Sequence, residues 1–252
     1  MVILKSSWEI DLIRKSGRIV AEALARLTKL VEPGITTLDL DRLAEEYILK
    51  RGAKPAFKGY RGYPYSLCAS VNEQVVHALP SERTLKEGDI VSLDLGSIVD
   101  GYYGDAAVTV PVGQVSDEAN RLIDVTQESL RRAIDAVQPG GRLSDISHAV
   151  QAAVEAEGFS VVRLFVGHGI GRSLHEEPQI PNFGPPGHGP VLKTGMVLAI
   201  EPMVNAGSPD VMILEDRWTA VTCDGSLSAH FEHTVALTEN GTEVLTSLDG
   251  RG

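Results

Sequence analysis

The sequence predicts an α+β protein built from two pseudo-symmetric halves, roughly residues 1–113 and 114–252, within a single domain of residues 1–252. Three observations predict this class. Amphipathic helical segments occur in two pairs, strand-like segments follow each pair, and parts of the second half align with the first in the same order. Each half is therefore expected to hold two helices followed by antiparallel strands.

Two amphipathic helices begin the first half. Ser6 and Glu9 have the spacing of a capping box, and apolar residues at steps of three and four predict a helix over residues 7–31. Thr37 is the predicted cap of a second helix, which Gly52 ends. The second pair of helices is predicted at residues 115–137 and 144–157.

Four ungapped matches relate the two halves. The matched segments are residues 31–52 with 137–158, 85–94 with 192–201, 103–110 with 230–237, and His77-x-x-Pro80 with His175-x-x-Pro178. Any two α+β segments share some pattern of helices and turns. Four matches in the same order nevertheless favour duplication.

The alignment pairs acidic residues with acidic residues, Asp94 with Glu201 and Asp105 with Glu232. The Asp-Gly pair at residues 100–101 predicts a two-residue hairpin turn, and its register makes Asp94 and Asp105 diagonal neighbours on one face. Their Cβ atoms would then lie about 7 Å apart or less, so both carboxylates could bind one cation.

A single aspartate in a strand is usually solvated or hydrogen-bonded, and this interpretation stands for any one of the four acids. Four acids buried together without partners would repel one another strongly. Two divalent cations bridged by carboxylates fit this set of residues better than one cation.

Residues 167–178, GHGIGRSLHEEP, contain two histidines in a glycine-rich stretch. The stretch is not H-E-x-x-H, because Gln179 stands where the second histidine would be and Pro178 would break the helix. It also lacks the glycine pattern and the lysine of phosphate-binding loops. A glycine-rich strand end could bring His168 to the acids, although a lone histidine is more often a hydrogen-bonded structural residue.

Composition excludes several classes of protein. A net charge of −11 argues against a general nucleic-acid surface. Cys68 and Cys223 form no disulfide framework, which favours a reducing cytoplasm. The polar N-terminal segment does not read as a signal peptide, and no apolar run reaches about 18 residues, so no membrane association is expected.

The segments GHGIGRSLHEEP, DLGSIVDGYYGD, AIEPMV and SAHFEHT together resemble the bacterial type I methionine aminopeptidases. The resemblance extends from about residue 6 to residue 246. It implies the pita-bread (creatinase/aminopeptidase) fold, a single catalytic domain with antiparallel sheet inside and helices outside. Only 31 positions separate Glu201 from Glu232, which leaves no room for the inserted subdomain of the type II enzymes.

The resemblance also implies a dinuclear metal site. The implied ligands are Asp94, Asp105, His168, Glu201 and Glu232. Asp94 would bind one ion, Asp105 and Glu232 would bridge both, and His168 and Glu201 would complete the other. The ions would be Co, Mn or Fe(II), with Zn or Ni as alternatives, and would activate a hydroxide that attacks the first peptide bond.

Three residues have implied catalytic roles. Glu201 would be the general base, His175 would bind the scissile carbonyl and its tetrahedral intermediate, and His77 would lie near the amide nitrogen. The internal alignment agrees, because His175 matches His77 whereas His168 matches Ser70 and adds one nitrogen to an otherwise carboxylate ligand set. The two glutamates after His175 match no acid and are expected to be supporting or solvated.

A substrate pocket for an unbranched thioether is implied beside the metals. Its residues would be Phe57, Tyr60, Tyr63, Cys68, Leu174 and Trp218, together with His77 and His175. Packing in the core or in loops is an equal alternative for each aromatic residue. Leu174 and His230 depart from the family pattern. Asn72 and Ser228 match the neighbourhood of a monovalent cation, Na or K.

The expected function is removal of the initiator methionine from nascent polypeptides whose second residue is small. The protein is expected to be a cytoplasmic monomer with transient ribosome contact. One alternative is a prolidase-like or metal-free creatinase-like enzyme, against which the missing N-terminal domain and the complete ligand set argue. Another is a non-catalytic binding module on the same fold, which would be expected to have lost ligands.

Overall fold

The computed structural model describes residues 2–248, which form four α-helices and fifteen strands. The helices are α1 Ser7–Thr28, α2 Thr37–Lys50, α3 Asp117–Asp135 and α4 Leu143–Ala156. The strands of the first half are β1 Lys54–Pro55, β2 Leu67–Val71, β3 Gln74–Val76, β4 Ile90–Val99 and β5 Tyr102–Pro111. Those of the second half are β6 Ser160–Val161, β7 Gly167–Gly169, β8 Glu176–Ile180, β9 Val197–Ile200, β10 Met203–Asn205, β11 Val211–Ile213, β12 Ala220–Thr222, β13 Ser228–His230, β14 Glu232–Thr238 and β15 Gly241–Val244.

Capping determines where the first two helices begin. The predicted capping box of Ser6 and Glu9 is confirmed at the start of α1. The predicted cap of α2 is wrong by one residue, because the hydroxyl of Thr36 accepts from the Asp39 amide at 3.0 Å. Thr37 is the first helical residue, and its hydroxyl pairs with the backbone of a distant loop instead. The other helix ends lie within three residues of the predicted ones, as is usual for helix termini.

The central antiparallel sheet has nine strands in the order β1-β4-β5-β14-β9-β7-β8. In addition, β2 pairs with β4 on the side of β1, and β15 pairs with β14. Strands of the two halves meet where β5 pairs with β14. The described residues also form two three-stranded sheets, β13-β10-β6 and β11-β12-β3.

The same backbone pattern occurs in both halves. Helices α2 and α4 each have 14 residues and begin 106 positions apart, as the alignment predicts. The amide of Gly34 donates to the carbonyl of Leu85 at 2.9 Å, and Gly140 donates to Leu192 at 3.0 Å. The predicted α+β class with two pseudo-symmetric halves is therefore confirmed.

Each half also has its own apolar core between its helix pair and its strands. Leu40 of α2 and Leu93 of β4 belong to one buried cluster. Ile146 of α4 and Leu198 of β9 belong to another. The helices consequently lie outside the sheet, which leaves its other face free to form a site. Within residues 2–248, no helix is long and apolar enough to cross a membrane.

Candidate metal centre and substrate cleft

The β4–β5 hairpin positions the first two acids. Asp100 and Gly101 have φ values of 51° and 81°, as the predicted two-residue turn requires. The register places Asp94 opposite Ala107 and Asp105 opposite Gly96, so the predicted diagonal arrangement of the two aspartates is confirmed. Both carboxylates are buried.

The second half supplies the two glutamates from the junction of its own strands. Glu232 is the first residue of β14 and pairs with Ala107 of β5, which itself lies opposite Asp94. Glu201 immediately follows β9, whose last residue pairs with the residue after Glu232. Acids from both halves therefore converge at the boundary between β5 and β14.

His168 reaches the acids from β7, at a register shift next to Gly169. Its Nδ1 lies 2.9 Å from the carbonyl oxygen of Gly169 and must carry the hydrogen of this bond, since a carbonyl only accepts. The Nε2 atom is then free of hydrogen and lies 3.4 Å from Oε1 of Glu201. Fixing one ring nitrogen in this way is typical of histidines that bind metal ions.

Ligand atoms of three residues lie close enough to share one ion. One atom each of Asp105, His168 and Glu232 lies within 4.8 Å of the others, and all three residues are buried. Within residues 2–248, three buried carboxylate oxygens of the cluster have no hydrogen-bond partner. They are Oδ1 of Asp94, Oδ1 of Asp105 and Oε1 of Glu232. Buried polar atoms normally have partners, so these oxygens are suited to bind a cation.

Electrostatics leads to the same conclusion. Burial raises the pKa of Asp94 to about 7, and burial together with the charge of Asp94 raises that of Asp105 well above its ordinary value. The pKa values of Glu201 and Glu232 are raised by burial and by the neighbouring carboxylates. Burial lowers the pKa of His168 to about 3, which leaves a neutral imidazole able to bind a metal. The raised pKa values mean that these four acids resist ionising together, and a nearby cation would favour their charged forms.

One cleft contains every residue predicted to bind a divalent metal ion, act in catalysis or contact the substrate. Its lining comprises Phe57, Tyr60, Tyr63, Cys68, His77, Asp94, Asp105, His168, Leu174, His175, Glu201, Trp218 and Glu232. It also includes Arg61, which the sequence analysis missed. In the sequence, Arg61 is marked only by its position between the predicted pocket residues Tyr60 and Tyr63, in the stretch GYRGY at residues 59–63.

Two further histidines, His77 and His175, line the cleft. His175 is exposed, its ring centroid is 4.3 Å from that of His168, and its Nδ1 is 2.8 Å from the hydroxyl of Tyr60. Desolvation by the surrounding protein and, to a smaller extent, the positive charge of Arg61 lower the pKa of His175. His77 has a positive φ of 61° and packs edge-on against Phe165. Burial and, to a smaller extent, the neighbouring His175 lower the pKa of His77 to about 4.

Aromatic residues and a thiol form the apolar end of the cleft. The ring of Trp218 packs edge-on against Tyr63 at 5.0 Å, and the Tyr63 hydroxyl donates to backbone carbonyls. Cys68 lies directly across from Asp94 in the sheet, so the thiol is next to the acids. A side chain at Gly96 would approach Phe57 to 2.9 Å, so glycine is needed for this wall.

Asn72 and Ser228 lie outside the cleft but next to each other. The amide of Ser228 donates to the carbonyl of Asn72 at 2.9 Å. Both side chains are hydrogen-bonded within the protein, that of Asn72 to Asp89 and to the amide of Ile90, and that of Ser228 to a neighbouring asparagine. The monovalent cation site remains a prediction.

Two further residues near the cleft have distinct environments. His230 is buried, its pKa is lowered to about 3 by burial, and neither ring nitrogen has a partner within residues 2–248. Glu176 forms a buried ion pair with Lys5 at 2.6 Å and accepts from the amide of Ser173, so it supports the loop that carries His175. Glu177 is exposed.

The chain is similar in sequence to known metallopeptidases. Residues 11–239 match metallopeptidase family M24. The chain is 56% identical to methionine aminopeptidase 1 of Bacillus subtilis (strain 168) and 58% identical to a methionine aminopeptidase of Clostridium perfringens (strain 13 / Type A). Both alignments cover 98% of this chain and 100% of the relative.

Solved structures agree with the sequence relatives. The crystal structure of a methionine aminopeptidase from Thermotoga maritima has a TM-score of 0.97 at 53% identity and covers 98% of this chain and 100% of that one. A prolidase from Pyrococcus furiosus has a TM-score of 0.80 at 25% identity, over 97% of this chain and 65% of its own. These neighbours confirm the predicted pita-bread fold. The chain therefore belongs to metallopeptidase family M24 and, within it, to the methionine aminopeptidases.

Proposed function

We propose that this aminopeptidase removes the initiator methionine from nascent polypeptides whose second residue is small, and that it does so with two divalent cations. The observation that carries the proposal is the buried cluster of four carboxylates and one imidazole. Three of its carboxylate oxygens lack hydrogen-bond partners in the described part of the chain, and its acids have raised pKa values. Cations would satisfy both conditions.

The donor set determines which cations fit. Asp94, Asp105, Glu201 and Glu232 offer hard oxygen atoms, and His168 offers one nitrogen. Such a set suits Mn, Fe(II) or Co, with Zn or Ni as alternatives, because no thiolate is among the donors. The side chains that would hold the ions are Asp94, Asp105, His168, Glu201 and Glu232.

When bound, the cations would lower the pKa of a water molecule and so supply a nucleophile at neutral pH. Glu201 is next to His168 and would accept the proton of the attacking water. His175, on the rim above His168, would donate a hydrogen bond to the carbonyl oxygen as negative charge develops there. His77 would contact the amide nitrogen of the bond that breaks.

Specificity for methionine follows from the apolar end of the cleft. Tyr63, Cys68 and Trp218 offer aromatic edges and a sulfur atom, and a flexible thioether packs well against such groups. The free α-amine of the substrate would bind beside Asp94. This arrangement would restrict cleavage to the first peptide bond.

The substrate also indicates the setting in which the protein acts. Nascent chains are made in the cytoplasm, so we infer a cytoplasmic monomer that contacts the ribosome transiently. The net charge of −11 offers no general attraction to nucleic acid. A bound Na or K ion near Asn72 and Ser228 would be a further component.

The test is methionine release from tripeptides by protein stripped of metal with a chelator. We expect cleavage of Met-Ala-Ser when Mn, Fe(II) or Co is added, little cleavage of Met-Phe-Ser, and none of Ala-Pro. Metal analysis of protein purified without oxygen would identify the ions bound. The matched control is Asp105→Asn, which keeps the shape of a cluster residue and should lose both metal and activity. Failure of every metal to restore cleavage would contradict the proposal.

A further inference from the structure

Tyr60 makes a specific contact with His175 that the pocket role assigned to it does not explain. Its hydroxyl lies 2.8 Å from Nδ1 of His175, and the two rings stack with centroids 5.3 Å apart and an interplanar angle of 29°. On its other side, the His175 ring lies against His168, with centroids 4.3 Å apart. The imidazole is therefore oriented by an aromatic neighbour and by a proposed metal ligand.

The backbone around Tyr60 holds the phenol in place. Its amide donates to the carbonyl of Phe57 at 2.8 Å, and its carbonyl accepts from the amide of Tyr63 at 2.9 Å. The guanidinium of Arg61 lies 5.4 Å from the centroid of the Tyr60 ring. A tight turn and a cation–π contact thus fix the hydroxyl beside His175.

The chemistry of imidazole makes this contact consequential. A neutral histidine carries one N–H, so its other nitrogen can only accept a hydrogen bond. To stabilise a carbonyl oxygen, His175 must carry the hydrogen on Nε2, and Nδ1 must then accept. The phenol of Tyr60 is a suitable donor, and its hydroxyl has no other partner within residues 2–248.

We propose that Tyr60 is a positioning residue that holds His175 in the Nε2–H tautomer, ready to donate to the carbonyl of the scissile bond. With the hydrogen on Nδ1 instead, the lone pair of Nε2 would face the lone pairs of the substrate carbonyl and repel them. This inference rests on the role of His175 in the proposed function, and it adds the residue that sets the tautomer.

The kinetic test uses Tyr60→Phe, which keeps the ring and removes the hydroxyl. Losing one hydrogen bond should lower kcat for Met-Ala-Ser roughly three- to tenfold, while KM changes by less than about twofold because ground-state binding is retained. In the His175→Ala background the same substitution should cause no further loss, since Tyr60 acts through His175. The control is Tyr65→Phe, which should match the wild type, since the Tyr65 hydroxyl has no partner within residues 2–248 and its ring packs on Tyr63.

A spectroscopic test is independent of turnover. In ¹⁵N NMR of the purified protein, the two imidazole nitrogens differ in chemical shift according to which one carries the hydrogen. The signals of His175 are identified by their loss in His175→Ala. We expect the wild type and Tyr65→Phe to show the Nε2–H form, and Tyr60→Phe to show a mixture of tautomers.

Two results would overturn the inference. The first is a Tyr60→Phe protein with unchanged kcat and an unchanged Nε2–H signal. The second is an equal loss of kcat with and without His175, which would mean that Tyr60 acts elsewhere. Wild-type protein that releases no methionine with any metal would refute the proposed function instead, and the NMR spectra would still decide the tautomer.

Discussion

The two halves of the molecule carry equivalent strands with very different regularity. In the first half, β4 and β5 form ten consecutive pairs around a two-residue turn. In the second half, β9 and β14 form four pairs, and β7 has a register shift beside His168. Both halves contribute two acids to the cleft, but only the irregular half contributes a histidine, His168, to the proposed metal ligands.

This difference shows how a symmetric scaffold gives an asymmetric site. The long hairpin holds Asp94 and Asp105 in fixed positions within a regular ladder. Strand β9 is short and ends at residue 200, so that Glu201 lies just past it. Strand β7 has its register shift next to His168, whose side chain lies beside the acids. Regular strand pairing thus positions Asp94 and Asp105, whereas the ends and irregularities of short strands position Glu201 and His168.

The largest effect is expected from exchanging the one position where the halves differ in ligand type. His168→Ala should lower the metal content and should reduce the cleavage of Met-Ala-Ser by more than about a hundredfold, since it removes the only nitrogen among the proposed ligands. Ser70→Ala, at the aligned position, is the matched control. Its hydroxyl makes one long bond to the Ala78 amide at 3.4 Å, so metal content should stay unchanged. Equal metal content in both variants, measured by elemental analysis, would show that the assigned ligand set is wrong.

The second effect concerns the matched pair His77 and His175. His175→Ala should lower kcat about a hundred- to a thousandfold, as loss of an oxyanion donor does, with metal content intact. His77→Ala should also lower kcat without metal loss, because neither ring is among the proposed ligands. Steady-state kinetics and metal analysis on the same samples check this. Loss of metal from either variant would place that histidine in the metal centre.

The third effect compares an ion pair that joins the two halves with an ion pair inside the first half. The buried pair of Lys5 and Glu176, with side chains 4% and 8% exposed, fixes the loop before β8. Lys5→Met leaves the buried carboxylate of Glu176 without its ion-pair partner and should lower the free energy of unfolding by about 3–5 kcal/mol. The control is Lys58→Met, whose exposed pair with Glu45 should matter by less than about 1 kcal/mol. Denaturant unfolding measures both, and similar losses would show that the buried pair has no special weight.

The fourth effect is a pH dependence of the protein stripped of cations. Burial raises the pKa of Asp94 from 3.8 to about 7 in the folded state. Its stabilising contribution is therefore complete below about pH 4 and is lost as pH rises through about 7. Asp94→Asn cannot ionise, so its melting temperature should exceed that of the stripped wild type by several degrees at pH 8 and match it near pH 4. Added Mn should make the wild type the more stable of the two proteins at pH 8. A stripped wild type that melts at a higher temperature than Asp94→Asn at pH 8 would contradict the prediction.

Much of this comparison could be predicted from sequence because it depends on local rules. The turn at residues 100–101 fixes the hairpin register, and the alignment places acid against acid. The contact of Tyr60 with His175 spans 115 positions, and that of Lys5 with Glu176 spans 171. No local pattern specifies such contacts, because they depend on where loops of separate elements are packed.

The smallest effect compares the caps of the equivalent helices α2 and α4. The hydroxyl of Thr36 accepts from the Asp39 amide, whereas at the matching position the side chain of Arg142 offers no acceptor and only Asp145 bonds back to the amide of Arg142. Thr36→Ala should therefore lower the free energy of unfolding by about 1 kcal/mol, and Arg142→Ala should change it by less than about 0.5 kcal/mol. Arg142→Thr should add the missing cap and raise stability, because the backbone at residue 142 is already extended, with φ −107° and ψ 148°. Equal losses from the two alanine variants in urea unfolding would mean that the two caps do not differ, and that the halves are more alike in energy than in sequence.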